Sequence, residues 1–297
     1  MVQLLIGVSR PPFLVLVVSL LLFLAGLLNA MAQLIDWVRF ALVGVAALAA
    51  HMAVNAHNEY CDHISGLDTI THKTPFSGGS GTLQREAFSP RIALYFAIFC
   101  ALVGAAVGFY LWITSSQSLI LAGLGILGLV LIFTYTPLIN QHPLLCLIAP
   151  GLGFGLVVLY GSFLAIAQEQ SLAILFAALA IAGLSNNLLL LNQFPDRAAD
   201  AAIGRNHWVI DNTLSVCVIT YVVEFLLSLA CLVLCLLLLA VPIIAFIGLI
   251  PMLLGCAVAI NLNKLSDFNI QPKILGLNVA CTVLTPLLLG GMLCVVA

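Results

Sequence analysis

Residues 12–33 read PFLVLVVSLLLFLAGLLNAMAQ, twenty-two positions without one Asp, Glu, Lys or Arg. As a helix this stretch reaches about 33 Å at 1.5 Å per residue, enough to cross the ~30 Å hydrocarbon core of a bilayer. Its apolar residues are continuous rather than alternating, which favours a helix over a barrel strand. It is too long and too apolar for a cleaved signal peptide, and no small-residue cleavage site follows it. Similar runs continue to the far end of the sequence, at 38–61, 91–113, 117–138, 144–168, 171–194, 213–239, 241–262 and 274–296. Only 7% of the 297 residues are charged and 63% are hydrophobic. Soluble domains carry about 25% charged residues, so this chain lacks the polar surface to cover a soluble globule. The expectation is an all-α polytopic integral membrane protein of about nine transmembrane helices, forming a single domain over 1–297.

The charges between the runs orient it. Arg10, Lys73, Arg85, Arg91, Arg197, Arg205, Lys264 and Lys273 fall on one side if every run spans once, and only Arg39 falls on the other. The positive-inside rule then places the N-terminus in the cytoplasm and the C-terminus outside. A net charge of −2, from 9 basic and 11 acidic residues, gives no reason to expect a nucleic-acid partner. Most cysteines lie within apolar runs and read as small packing residues. Cys231 and Cys235 share a helix face, but no further ligands accompany them.

Two polar loops on the cytoplasmic side, roughly 58–90 and 193–212, collect the acidic residues. In the first, Asn55, Asn58 and Asp62 are spaced i, i+3, i+7 and project from one helix face, with Asp68 following Gly66. In the second, Asn192, Asp196 and Asp200 are spaced to share a face, although Pro195 can kink or restart the helix, and Gly204-Arg205 follows. Charged groups at a bilayer face a polar interior. Carboxylates and carboxamides converging from two sides suit Mg²⁺, which takes oxygen ligands, keeps waters and shares one or two carboxylates with substrate phosphates. The plainer alternative is a pair of solvated helix caps, which two matching motifs on same-side loops disfavour.

These motifs resemble those of the UbiA superfamily of intramembrane aromatic prenyltransferases. The run Asn58-Glu59-Tyr60-Cys61-Asp62 with Gly66 and Asp68 is similar to the family's first motif, in the form of the 1,4-dihydroxy-2-naphthoate prenyltransferase branch. Thr74 to Gly81 resembles the loop that follows it. Leu191 to Asp196 with Gly204-Arg205 resembles the second motif, and Gly151 to Gly155 with Tyr160-Gly161-Ser162 the fifth-helix pattern. The chain departs from the family at Glu59, where Asp is common, in the short loop after Tyr135-Thr136-Pro137, and at Asn206, where a second basic residue is common.

The resemblance implies a ring of helices around a central cavity in a prokaryotic plasma membrane. It implies transfer of an isoprenyl group from its diphosphate to an aromatic acceptor in quinone biosynthesis, with the lipid tail in the apolar interior. Asp62, Asp68, Asp196 and Asp200 are the expected catalytic residues, and Asn58, Asp62, Asp196 and Asp200 the expected Mg²⁺ ligands. Asn55, Asn58, Lys73, Arg91, Tyr135, Tyr160, Asn192, Arg205 and Glu224 are expected to bind substrate. Tyr60 and Phe154 join Tyr135 and Tyr160 as aromatic faces for an allylic cation. Glu224, about twelve residues into its helix, is a functional candidate because it is ionisable within the membrane; a packing role is the alternative. His57, His63, His72 and His207 read as rim residues, and Ser77 to Gly81 as a lid. A secondary transporter is the rival from another class: Asp196-Arg197 followed by Gly204-Arg205 is similar to a carrier loop motif, but its spacing is wrong. A membrane zinc protease fits less well, because His57 to His63 lacks the spacing that puts two ligands on one helix face.

Overall fold

In hydrocarbon, each backbone N–H and C=O must pair within its own segment, so the apolar runs wind into helices. The computed structural model describes residues 1–71, 78–85, 89–265 and 270–296. The main helices among them are α1 (Val2–Ser9), α2 (Pro11–Ala30), α3 (Trp37–Ile64), α4 (Arg91–Ile113), α5 (Ser118–Thr134), α6 (Pro143–Ala167), α7 (Leu172–Asn192), α8 (Leu214–Leu238), α9 (Ile243–Lys264) and α10 (Gln271–Val296). Eight of these, α2 to α4 and α6 to α10, are long and apolar enough to cross a membrane.

The fourth apolar run, 117–138, forms a shorter helix than the sequence suggests. Helix α5 has 17 residues and ends at Thr134, and the chain turns over Tyr135 to Leu138. Pro137 lacks an N–H and biases the residue before it away from the helical region. Helix α1 was not expected, because eight residues are too few to span a bilayer. Arg10 separates it from α2 with φ 49°, immediately ahead of Pro11. Within α6, residues Leu152–Tyr160 wind as a π-helix just after Pro150. Asn186 of α7 accepts the Gly151 N–H there at 2.7 Å.

Among the described residues, helices α2 to α10 each pack on the next and α10 returns to α2, closing a ring. The closing seam is tight: a Cβ on Gly290 would stand 2.6 Å from Phe23 Cα. Small residues allow membrane helices this approach. Ser19 donates to the Val283 carbonyl at 2.7 Å and Asn29 to that of Leu293 at 3.0 Å across the same seam. Deeper in the bundle, Tyr221 donates to Asn278 at 3.0 Å, Asn278 to the Asn187 carbonyl at 3.1 Å, and Asn187 to the Tyr221 carbonyl at 3.0 Å. This cycle ties α7, α8 and α10 together inside an apolar core, with each of its three donors satisfied. The antiparallel succession of helices brings the C-terminal ends of α3 and α7, which carry the two acidic motifs, to the same end of the ring.

Candidate functional site

The last turns of α3 set one wall of the site. Asn58 donates to Asp62 at 3.1 Å and receives the Thr136 hydroxyl at 2.9 Å, so the loop after α5 orients the carboxamide. Asn55 donates to the Ser9 carbonyl at 2.9 Å, which seats the end of α1 against α3. The opposite wall follows α7. That helix ends at Asn192, and a short new helix, Arg197–Ala202, starts after Pro195 with Asp196 at its N-terminal boundary. Asn192, Asp196 and Asp200 therefore do not share one continuous helix face. They still meet the same cavity, because the turn at Pro195 folds the second helix back across it.

The cavity has a volume of about 220 Å³. Asn55, Asn58, Asp62, Asp68, Tyr135, Asn192, Asp196, Asp200 and Arg205 line it, which brings nine of the sequence candidates together. Arg10, Asn140 and Gln193, which were not expected at the site, also line it, as does His207, expected at its rim. The only signal for Arg10 was a cation at the start of an apolar run. Asn140 and Gln193 gave none, because their place depends on contacts across the ring.

Arg205 joins the two walls. Its guanidinium forms ion pairs with Asp62 of the first motif and, at 2.8 Å, with Asp200 of the second. His207, buried, lies 3.1 Å from the other Asp200 oxygen. Burial would lower the Arg205 pKa, but the Asp62 and Asp200 carboxylates outweigh it and hold the value above the ordinary one. Arg205 thus stays charged, and the two facing carboxylates are held close by a cation of the chain itself.

The remaining candidates lie elsewhere. Arg91 is exposed at the start of α4. Tyr160 is half-buried in the apolar core, Phe154 meets the His51 ring edge-on at 5.1 Å, and Tyr60 packs beside Leu4 and Val8 of α1. Glu224 accepts a hydrogen bond from Asn186 at 3.2 Å, one turn deeper on α7 than the cavity-lining Leu189. Its second carboxyl oxygen is buried and, among the described residues, has no hydrogen-bond partner. His57 packs edge-on against Phe133 at 5.5 Å. Lys73, His72 and Thr74 to Ser77 lie outside the described residues. Of the lid segment, Gly78 donates its N–H to Asp196 at 3.2 Å, and Gly78 and Gly79 line the cavity.

A second, apolar cavity of about 350 Å³ lies between α3, α4, α5 and α6, walled largely by Ala and Gly. Val43, Ala47 and Ala50 of α3 line it, while Val54 and Asn58 line the polar cavity. Spaced by three or four residues, they form one face of α3, polar at one end and apolar at the other.

The UbiA prenyltransferase family model matches residues 19–278. The chain belongs to the UbiA prenyltransferase family. Solved UbiA homologues share its fold. The apo structure of the one from Aeropyrum pernix K1 matches with a TM-score of 0.70 and 18% identity, covering 94% of this chain and 97% of that one. A digeranylgeranylglyceryl phosphate synthase matches at TM-score 0.65 and 16% identity over 99% of each chain. The Archaeoglobus fulgidus homologue bound to DMAPP and Mg²⁺ matches at 0.58 and 16%, over 98% of this chain and 99% of that one. The comparison with curated proteins gives no match.

Among the described residues, no three His, Cys, Asp or Glu side chains form a closed metal site. The oxygen donors of this UbiA member instead stand on two walls of an open cavity. That donor set fits Mg²⁺ held partly by substrate phosphate, the usual mode for an ion that seldom occupies an all-protein cage.

Proposed function

We propose that this chain is a Mg²⁺-dependent prenyltransferase. It moves an isoprenyl group from an isoprenyl diphosphate to an aromatic acceptor, 1,4-dihydroxy-2-naphthoate, in quinone biosynthesis and releases diphosphate. The observation that supports it most is the single polar cavity lined by both acidic motifs and Arg205 at one end of an apolar ring. The solved A. fulgidus homologue bound to DMAPP and Mg²⁺ supports the choice of substrate and ion. The positive-inside count supports a cytoplasmic orientation for this end of the ring.

Asn58, Asp62, Asp196 and Asp200 would hold Mg²⁺, with Asp68 and Asn192 beside them. Bound Mg²⁺ supplies Lewis-acid stabilisation of the charge that develops on the departing diphosphate. Arg205 adds a fixed cation at the same place, where preorganised charge acts on the transition state without reorganisation. As the allylic C–O bond breaks, the electron pair leaves with the diphosphate and the positive charge stays on the prenyl carbon. Tyr135, which lines the cavity, presents the aromatic face that such a cation favours. The isoprenyl tail lies along α3 in the apolar cavity, where water that would quench the cation is excluded. The acceptor ring then attacks the cation to form the new C–C bond, and the ring regains its aromaticity by losing a proton or, as CO₂, its carboxylate.

Purified protein in nanodiscs, given a radiolabelled isoprenyl diphosphate and an acceptor panel, tests this. Label should pass to dihydroxynaphthoate with Mg²⁺, and EDTA should lower the rate by at least about 100-fold. Transfer to hydroxybenzoate, homogentisate, a tetrapyrrole or a glycerol lipid keeps the reaction and changes the acceptor. Folded protein that neither transfers label nor binds diphosphate returns the chain to the transporter class.

Glu224 gives a separate test of the acceptor side. Its second carboxyl oxygen, buried in the bundle with no hydrogen-bond partner among the described residues, would meet a polar group of the acceptor. A hydrogen bond to a charged group contributes about 1.5–3 kcal/mol. Glu224→Gln should therefore raise the acceptor KM about tenfold or more and leave the KM for isoprenyl diphosphate unchanged. An unchanged acceptor KM would assign the Asn186–Glu224 pair to helix packing alone.

A further inference from the structure

Glu59 belongs to the first motif, yet unlike Asp62 and Asp68 it does not line the cavity. One residue on from Asn58, it points about 100° round the helix. Its side chain is 1% exposed, and a carboxylate buried this fully has to be paired. Two segments from outside α3 supply its partners. Arg10 donates from Nε at 2.6 Å and places Nη2 2.5 Å from the same oxygen. Ser80 donates its N–H to Oε1 at 2.6 Å and its hydroxyl to Oε2 at 2.8 Å.

What Glu59 fastens is what faces the site. Arg10, Gly78 and Gly79 all line the polar cavity. Gly78 and Gly79 have φ of 82° and 69°, a conformation that glycine adopts without strain. A side chain on Gly79 would crowd the centre of the cluster, with a Cβ 3.0 Å from Asp68 Oδ1 and 3.5 Å from both Arg10 and Glu59. Beyond Ser80 the segment is braced again, as Arg85 donates to the Ser80 carbonyl at 2.9 Å and to that of Gly81 at 3.2 Å.

We infer that Glu59 is a positioning residue for the diphosphate. It latches Arg10 and the Gly78–Ser80 backbone to α3, so that a guanidinium and the Gly78–Gly79 turn line the phosphate end of the cavity. The Gly78 N–H is already aimed at an anionic oxygen of the site, donating to Asp196 at 3.2 Å. The inference rests on the prenyl-diphosphate reading above, and it adds that the motif's carboxylates divide into those that face the site and one that builds its far wall.

The test is steady-state kinetics of Glu59→Ala, Glu59→Gln and Ser80→Ala, together with hydrogen exchange over residues 78–85. Glu59→Ala should raise the KM for isoprenyl diphosphate at least tenfold, with kcat within threefold and acceptor KM within twofold of wild type. Amide exchange at 78–81 should quicken at least tenfold. Glu59→Gln, which keeps one acceptor oxygen but loses the charge, should fall between. Ser80→Ala should shift the same KM in the same direction, by less. A folded Glu59→Ala protein with wild-type KM for the diphosphate, or with a loss confined to kcat, overturns the latch. If Glu59→Ala does not fold, a wild-type KM in Ser80→Ala overturns it instead. A wild-type protein without Mg²⁺-dependent transfer overturns the underlying reading, while the latch is still read from exchange: unchanged exchange at 78–81 in Glu59→Ala sinks it independently.

Discussion

Asp62→Ala and Asp196→Ala should each lower prenyl transfer by at least about 10²–10³-fold, the scale of losing one preorganised group that meets transition-state charge. Both variants should stay folded and membrane-inserted. No apolar run is touched, and the remaining charges keep partners: without Asp62, Arg205 still pairs with Asp200 at 2.8 Å, and Asp200 still meets His207 at 3.1 Å. The two sites come from opposite walls of the cavity. Equal losses from both would therefore mean that the chemistry needs the walls together rather than either motif alone. Rates are read as kcat/KM at saturating Mg²⁺, with detergent size-exclusion profiles as the check on folding. Near-normal turnover in either variant would remove that residue from the metal assignment.

The sequence carried the fold because charge scarcity and run length are physical constraints that hold before any contact is known. The first motif was legible for a similar reason: Asn55, Asn58 and Asp62 lie on an unbroken helix, so spacing alone gave their shared face. The second was legible in composition but not in geometry. Pro195 ends the helical register, and Asp196 and Asp200 reach the cavity through a turn that spacing cannot describe. Contacts across the ring were beyond reach. Arg10 comes to the site because Asn55 and Glu59 hold the α1–α2 junction against α3, and Asn140 because its carbonyl accepts the Asn206 N–H at 2.9 Å. Glu59 shows the limit most directly. By letter it belongs with the acidic motif, and only its partners reveal that it faces away.

Arg205→Gln should separate the structural and catalytic duties of the charge at the centre of the site. The guanidinium is 13% exposed and bridges two carboxylates that are themselves 7% and 5% exposed. Removing one partner of a buried ionic group typically costs 3–5 kcal/mol, because the other charges stay behind uncompensated. The prediction is a clear drop in thermal stability of Arg205→Gln in EDTA, largely recovered by Mg²⁺ with an isoprenyl diphosphate, because divalent charge can take over the neutralising role. On the proposed metal assignment, Arg205 and a divalent ion would compete for the same Asp62 and Asp200 oxygens. In the absence of diphosphate, Arg205→Gln should therefore bind Mn²⁺, read by electron paramagnetic resonance, at least tenfold more tightly than wild type. Turnover should nevertheless fall about 100-fold, since the departing diphosphate loses a fixed cation. Arg205→Lys should recover stability better than rate, because an ammonium supplies charge but not the planar fork that reaches two carboxylates at once. Wild-type stability in EDTA together with unchanged Mn²⁺ affinity would show that the bridge contributes nothing net. Asp62 and Asp200 would then be held in place by Asn58 and His207, and the role of Arg205 would reduce to meeting the diphosphate.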